Sequence, residues 1–332
     1  MIKKGRGLAS VFYPTGFNGG GDAETVSMRV KRDGCIDITN TISDLGQGLK
    51  MVTIQIAAET LGIGLENFTH DNTNTDTCSY SIGAAGSRST YTVGNATIDA
   101  GKKLIGLLKS YGAGMLHCDV SEVQYEKGKV FKESDPSQAV TLKDIGGDAN
   151  PGGVPLIVAG GFRPPVAPYD PETGKGLPSR TVGWGATVAD VEVDDETGIV
   201  KVENLYTCYD IGTVINRLSA QGQVDGGDIM GIGMALFEDL TPNYPESIDM
   251  QTSNYTDYII PTFMDMPKHS EVQFHESYDP YGPYGAKGLG EMVNNTQPAA
   301  IVNAIYDAVG VLVESIPATP EKILRLLEEK GK

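Results

Sequence analysis

The stretch VSMRVKRDGCIDI (residues 26–38), with DLGQGLKMVTIQIAAETLG (residues 44–62) just beyond it, decides the fold class. In the first, Val26, Met28 and Val30 alternate with polar residues, Asp33-Gly34 supplies a turn, and Ile36 and Ile38 resume the alternation. That period of two, broken by a turn pair, predicts a β-hairpin with one buried face. In the second, Leu49, Val52, Ile56 and Ala57 fall at helical spacing behind Gly46 and Gly48, and Gly62 ends the run. A glycine turn therefore feeds directly into a helix.

Working outward, residues 72–92 are polar and aperiodic, and a helical pattern returns over 94–111 through Ile98, Ile105, Leu108 and Tyr111. From 144 to 178 proline and glycine are dense, which predicts an irregular connecting segment. Residues 188–193 and 199–205 flank Asp195-Glu196-Thr197-Gly198, a second hairpin. Residues 219–238 read as a helix carrying Gly222, Gly226, Gly227, Gly231 and Gly233. Each interior glycine costs about 1 kcal/mol against alanine, so five together imply close backbone packing or a ligand against that face. Thr296 and Pro298 open a helix that Gly310 stops, and Thr319-Pro320 opens the last one. Hairpins interspersed with helices, without regular strand–helix alternation, predict an α+β fold of two subdomains, 1–143 and 179–332, joined by 144–178.

Composition narrows the function. The formal charge of −17 repels a polyphosphate backbone, so nucleic acid is not an expected partner. No run of about 18 apolar residues is present, and the basic start Met1–Arg6 is followed by Tyr13, Pro14 and glycines instead of an apolar signal core. A cytoplasmic protein with no membrane association is expected. Cys35, Cys78, Cys118 and Cys208 are far apart, without the spacing of zinc or iron–sulfur ligands. The four histidines form no zinc pair, and Gly282–Gly288 lacks the spacing and the Ser/Thr of a phosphate-binding P-loop.

Three glycine turns remain: Gly46-Gln47-Gly48, Gly83 through Ser89, and Gly285 through Glu291. Turns that lead into helices expose unpaired amides at a positive dipole end and suit anionic groups.

Together with Gly5-Arg6-Gly7-Leu8-Ala9 at the start, Gln55 through Gly62, Ala85 through Thr90, Gly222-Gln223-Val224-Asp225-Gly226 and Pro298-Ala299-Ala300, these turns resemble the second molybdopterin-binding half of the xanthine dehydrogenase and aldehyde oxidase family. Asn216-Arg217 departs from that family's usual Asn-Pro. The resemblance implies the fold of that half. It also implies that Gly46, Gln47, Gly48, Ala85, Gly86, Ser87, Ser89 and Gln223 hold a molybdopterin, in its cytosine dinucleotide form, whose molybdenum carries a terminal sulfido or selenido ligand. No residue of this chain ligates the metal directly. Glu291 is the implied general base, taking the proton of a water-derived hydroxyl that attacks an electron-poor carbon. Its competing reading is a helix-start carboxylate. Tyr13 and Phe17 are candidates to face the substrate ring.

The chain lacks the earlier half and the iron–sulfur and flavin modules of single-chain members, so a subunit is expected. The arrangement is similar to that of the nicotinate dehydrogenases, with a large molybdopterin subunit, an iron–sulfur subunit with 2Fe-2S clusters and an FAD subunit as partners. The expected activity is hydroxylation of nicotinate to 6-hydroxynicotinate, purines and aldehydes being the alternatives. The contrasting expectation is a non-catalytic cofactor-binding scaffold.

Overall fold

The computed structural model describes residues 1–17, 22–71, 73–165, 170–176, 179–240 and 254–331. They form two compact units. A central unit holds 14–182 and 278–288, and a terminal unit holds 1–13, 183–277 and 289–332. Both mix helices with sheets.

The chain opens on β1 (Ile2–Pro14) and then enters the central unit. There β2 (Glu24–Val30) and β3 (Ile36–Asn40) make the expected hairpin, with Val30 opposite Ile36. Next come α1 (Leu49–Leu61), β4 (Phe68–His70) and the long α2 (Ser89–Met115). A small antiparallel sheet of β5 (Val123–Glu126), β6 (Lys129–Lys132) and β7 (Asp135–Thr141) precedes α3 (Leu142–Ala149). The strand β8 (Ile157–Phe162) then completes a second sheet in the order β4-β3-β2-β8. The alternating residues Val26, Met28, Val30, Ile36 and Ile38 are fully buried in one core with Val93, Ala96, Ala100, Leu104 and Leu108 of α2. The period of two therefore marks the face that the helix covers.

Two expectations need correction. The 144–178 segment is not irregular throughout, because it contains the end of α3 and the whole of β8. Gly160, read as a loop residue, sits where α2 crosses the strand, and a Cβ there would lie 2.2 Å from the Ala100 backbone nitrogen. Residues 166–169 and 177–178 of that segment lie outside the described residues. Nor do the units follow the sequence partition at 144–178. Strand β1 pairs with a strand that begins 168 positions after it ends, which draws 1–13 into the terminal unit, while 278–288 belongs to the central one.

The terminal unit continues with β9 (Val182–Asp194) and β10 (Val200–Asp210), the second expected hairpin, then α4 (Arg217–Leu236) and β11 (His269–His275). Its sheet runs β1-β9-β10-β11, with β11 parallel to β10. The helices α5 (Gln297–Val309) and α6 (Pro320–Lys330) start at the proline signals. Ala189, Val191, Val193, Val202 and Leu205 face Ile232 and Ala235 of α4 and Ala300, Ile301, Ala304 and Ile305 of α5 in a single core. Gly5 and Gly7 of β1 let α5 lie directly on the strand, since a Cβ at either would come within 2.1 Å of a helix carbonyl oxygen. Asn216 caps α4 by accepting from the Ser219 N–H at 2.9 Å, with Arg217 as the first helical residue.

Candidate functional site

The sequence-named residues divide between the units. Gly46, Gln47, Gly48, Ala85, Gly86, Ser87, Ser89 and Phe17 fall in the central unit, while Tyr13, Gln223 and Glu291 fall in the terminal unit.

In the central unit the first two glycine turns start α1 and α2. Gly94 of α2 packs on Ile56 of α1, and Gly101 of α2 packs on Thr60, so the two helices run in the same direction. Their N-termini therefore point to the same end of the unit. The turns differ in what they leave available. At α1 the Asp44 carboxylate accepts from the N–H groups of Gly46 (2.9 Å), Gly48 (3.1 Å) and Lys50 (3.0 Å). Burial works to raise the pKa of Asp44, but these three bonds outweigh it and hold the carboxyl below its usual range. Gln47 also turns inward, its Nε2 donating to the Ser43 carbonyl at 3.2 Å. The α1 terminus is thus compensated by its own side chains.

The α2 terminus has no side-chain cap and no acidic residue in its first turn. Among the described residues its first turn thus lacks the side-chain compensation that Asp44 gives α1. Ahead of it Gly86 (φ 63°) and Ser87 (φ 54°) both adopt the left-handed conformation, costly for a serine unless its surroundings enforce it. Three neighbours do so. Gly16 donates its N–H to the Gly86 carbonyl at 2.7 Å. Gly288 lies so close that a Cβ there would meet the Ser87 carbonyl oxygen at 2.0 Å. The Gly288 N–H is in turn held by the Thr15 hydroxyl at 3.1 Å. The third glycine turn is therefore brought against the second, and both glycine and serine positions serve a backbone cradle at a positive helix end. Ser87 and Ser89 are half-buried there, and Phe17 is 42% exposed.

Beneath this cradle lies an anchor that sequence reasoning passed over. The Arg88 guanidinium is fully buried, ion-paired with the equally buried Glu24, and donates to the carbonyls of Asp22 (3.0 Å) and Gly83 (2.6 Å). Glu24 also accepts from Ser81 at 2.8 Å and from Thr41. Its sequence signal was an arginine inside a run of small residues, within the Ala85–Thr90 stretch of the family resemblance, with no role assigned to it.

In the terminal unit the Tyr13 hydroxyl donates to Glu291 Oε2 at 2.8 Å. Glu291 is exposed and stands at the start of a short 3-10 turn, Met292–Asn294, closed by Asn295, whose Nδ2 donates to the Glu291 carbonyl. Tyr13 was read as a substrate contact, and the structure gives its hydroxyl to the carboxylate. Gln223 is half-buried on α4. Of the five α4 glycines, Gly227 and Gly231 admit Val293 and Gln297, each at 2.5 Å from an ideal Cβ, and Gly233 admits Glu238 and Pro261 at 2.2 and 2.9 Å, while Gly222 and Gly226 face open space. Close packing thus explains three glycines of that helix, and two face open space.

Residues 1–267 match the family model of the molybdopterin cofactor-binding domain. The chain is 30% identical over 312 residues to the nicotine 6-hydroxylase large subunit of Paenarthrobacter nicotinovorans, covering 91% of this chain and 36% of that one. It is 29% identical over 333 residues to the xanthine dehydrogenase molybdenum-binding subunit of Escherichia coli O157:H7, covering 97% and 42%. The solved aldehyde oxidoreductase of Desulfovibrio gigas superposes with a TM-score of 0.80 at 29% identity, over 98% of this chain and 33% of that one. The chain thus spans about a third to two fifths of the length of these relatives. By sequence match and by fold, it belongs to the molybdopterin cofactor-binding domain family, within the molybdenum-binding region of the xanthine dehydrogenase family.

Proposed function

We propose that this chain is the molybdopterin-binding subunit of a multi-subunit molybdenum hydroxylase that inserts oxygen from water into an electron-poor carbon of an N-heterocycle, nicotinate being favoured. The observation that carries this reading is the Tyr13–Glu291 hydrogen bond, which joins two residues named separately from the sequence and 278 positions apart. The heterocycle is favoured because the nicotine 6-hydroxylase subunit stands among the relatives. Purine and aldehyde substrates form the second reading, favoured by the names of the xanthine dehydrogenase and aldehyde oxidoreductase relatives.

The residues present fit the cofactor: a 27-residue helix without a side-chain cap among the described residues, a left-handed Gly86-Ser87 pair ahead of it, and Gly288 packed without a side chain against the Ser87 carbonyl, which fixes that pair. Backbone N–H groups and the hydroxyls of Ser87 and Ser89 suit a pyrophosphate without a fixed positive charge. Ala85 and Gly86 shape that turn, and in the same unit the α1 turn, whose Gly46 and Gly48 amides Asp44 already holds, offers Gln47; Gln223 is the candidate of the terminal unit. When bound, the molybdenum cofactor, in a cytosine dinucleotide form with a sulfido or selenido ligand, supplies a two-electron oxidant. Electrons leave through iron–sulfur and FAD partner subunits, and a large molybdopterin subunit completes the binding region.

This chain's part in the chemistry is a proton transfer. Glu291 is the base, receiving on a carboxylate oxygen the proton of the attacking water-derived hydroxyl. Tyr13 holds that carboxylate in one orientation through Oε2, so the base does not have to be ordered at the moment of reaction. Glu291→Gln in the assembled enzyme keeps bound molybdenum and lowers turnover about a hundredfold or more. Turnover near wild type in that variant removes Glu291 from the mechanism, and a molybdenum-free complex without hydroxylase activity returns the scaffold reading.

A further inference from the structure

Behind Glu291 in the terminal unit lies a buried polar network that the proposed proton transfer does not use. Asp228 of α4, Tyr209 of β10 and Gln297 of α5 are all fully buried. Gln297 Nε2 lies 2.6 Å from Asp228 Oδ1, 2.7 Å from the Val293 carbonyl and 3.0 Å from the Tyr209 hydroxyl oxygen. An amide nitrogen has two hydrogens for these three oxygens, so the two shortest contacts, to Asp228 and Val293, take them. Val293 belongs to the 3-10 turn that begins at Glu291. Gly227 and Gly231 on α4 give Val293 and Gln297 their room, which fixes the network's position on the helix.

We propose that Asp228 is a positioning residue for Glu291: its buried carboxyl holds the Gln297 amide, and Gln297 in turn holds the Val293 carbonyl of the turn that carries Glu291. The inference rests on the reading of Glu291 as base. With an apolar residue at 228 the Gln297 amide loses its shortest acceptor and is released toward Tyr209, and the turn loses its fixed point. The protonation state of Asp228 belongs to the same device. Burial raises its carboxyl to about 7, the hydrogen bonds from Gln297 and Ser270 oppose that, and the like charge of Asp225 on its own helix adds to it. Tyr209 is the ionisable group presented by β10, while α5 and β11 present the neutral Gln297 and Ser270.

Hydrogen exchange on the full chain reads the positioning directly. Asp228→Leu raises exchange of the 291–297 amides about tenfold or more while β9 and β10 keep their protection, and Asp228→Asn, which retains an acceptor oxygen, restores it. In the assembled enzyme Asp228→Leu lowers kcat about ten- to a hundredfold at unchanged KM and molybdenum content, again rescued by Asn. Gln297→Met, which removes the donor at similar length, gives the same pattern and serves if the leucine variant does not fold. Unchanged exchange at 291–297 in Asp228→Leu or Gln297→Met overturns the proposal. So does a loosened turn with wild-type kcat in an enzyme whose Glu291→Gln variant is inactive. An active Glu291→Gln enzyme overturns the base assignment instead, and the exchange result alone then decides whether Asp228 holds the turn.

Discussion

Replacing Arg88 by leucine tests what holds the α2 cradle in place. Both partners of the Arg88–Glu24 pair are fully buried, so water screens neither charge. Removing the guanidinium strands the Glu24 carboxylate with, among the described residues, only the hydroxyls of Ser81 and Thr41, and leaves the carbonyls of Asp22 and Gly83 without this donor. Breaking a buried pair from one side costs about 3–5 kcal/mol, against about 0–1 for an exposed pair. In a unit of this size that lowers Tm by roughly 6–20 °C. The pair is also imperfect, because Arg88 Nε is buried without a partner among the described residues. Replacing both residues by leucine therefore recovers at least half of the single-variant loss, since no uncompensated charge remains. Urea unfolding of wild type, both single variants and the double variant gives the cycle, with cofactor retention measured in parallel because Gly83–Ser89 loses its tie. A single-variant cost below about 1 kcal/mol, or a double variant that merely adds the two losses, refutes the reasoning.

Tyr13→Phe removes one hydrogen bond to Glu291 and no carbon atoms, so kcat falls about three- to tenfold with KM and molybdenum content unchanged. A change in KM alone would return Tyr13 to the substrate-contact role. Asp228→Asn tests the burial of that carboxyl through pH. The folded-state value of about 7 stands above the ordinary 3.8, so its contribution to stability is full below about pH 4 and is lost as pH rises through 7. Three units correspond to about 4 kcal/mol. Denaturation midpoints of wild type therefore fall relative to the asparagine variant between about pH 4 and 7 and level off above that, and parallel curves would show that Asp228 ionises as an ordinary surface carboxylate does.

Much of this architecture is legible in the residues because its causes are local. The period of two in Val26, Met28 and Val30 is the pleat itself, and Gly48 (φ 86°) and Gly62 (φ 65°) bound α1 because left-handed backbone favours glycine at both ends. Where the cause is distant, the residues mislead. Gly160 reads as loop because nothing in its neighbourhood says that α2, 60 residues earlier, requires a strand without a side chain at that point. Gly5 and Gly7 carry the same message from α5, nearly 300 residues later, and were legible only as part of a family resemblance.

The site divides along the same line, and its carboxylates show why. Asp44 and Asp228 are both aspartates within two residues of a glycine, and that local pattern does not separate them. Asp44 receives three backbone N–H groups and is held below the usual range, while Asp228 receives two neutral side-chain donors in a site from which water is excluded and rises to about 7. The chemistry of a carboxylate is set by the donors that face it and the water that reaches it, and both are properties of packing between elements far apart in sequence. Glu291 could be named early because its turn carries a recognisable signature. The residues that hold it still, Tyr13 from the first strand and Gln297 with Asp228 from two packed helices, become a set only when β1, α4 and α5 assemble around the same turn.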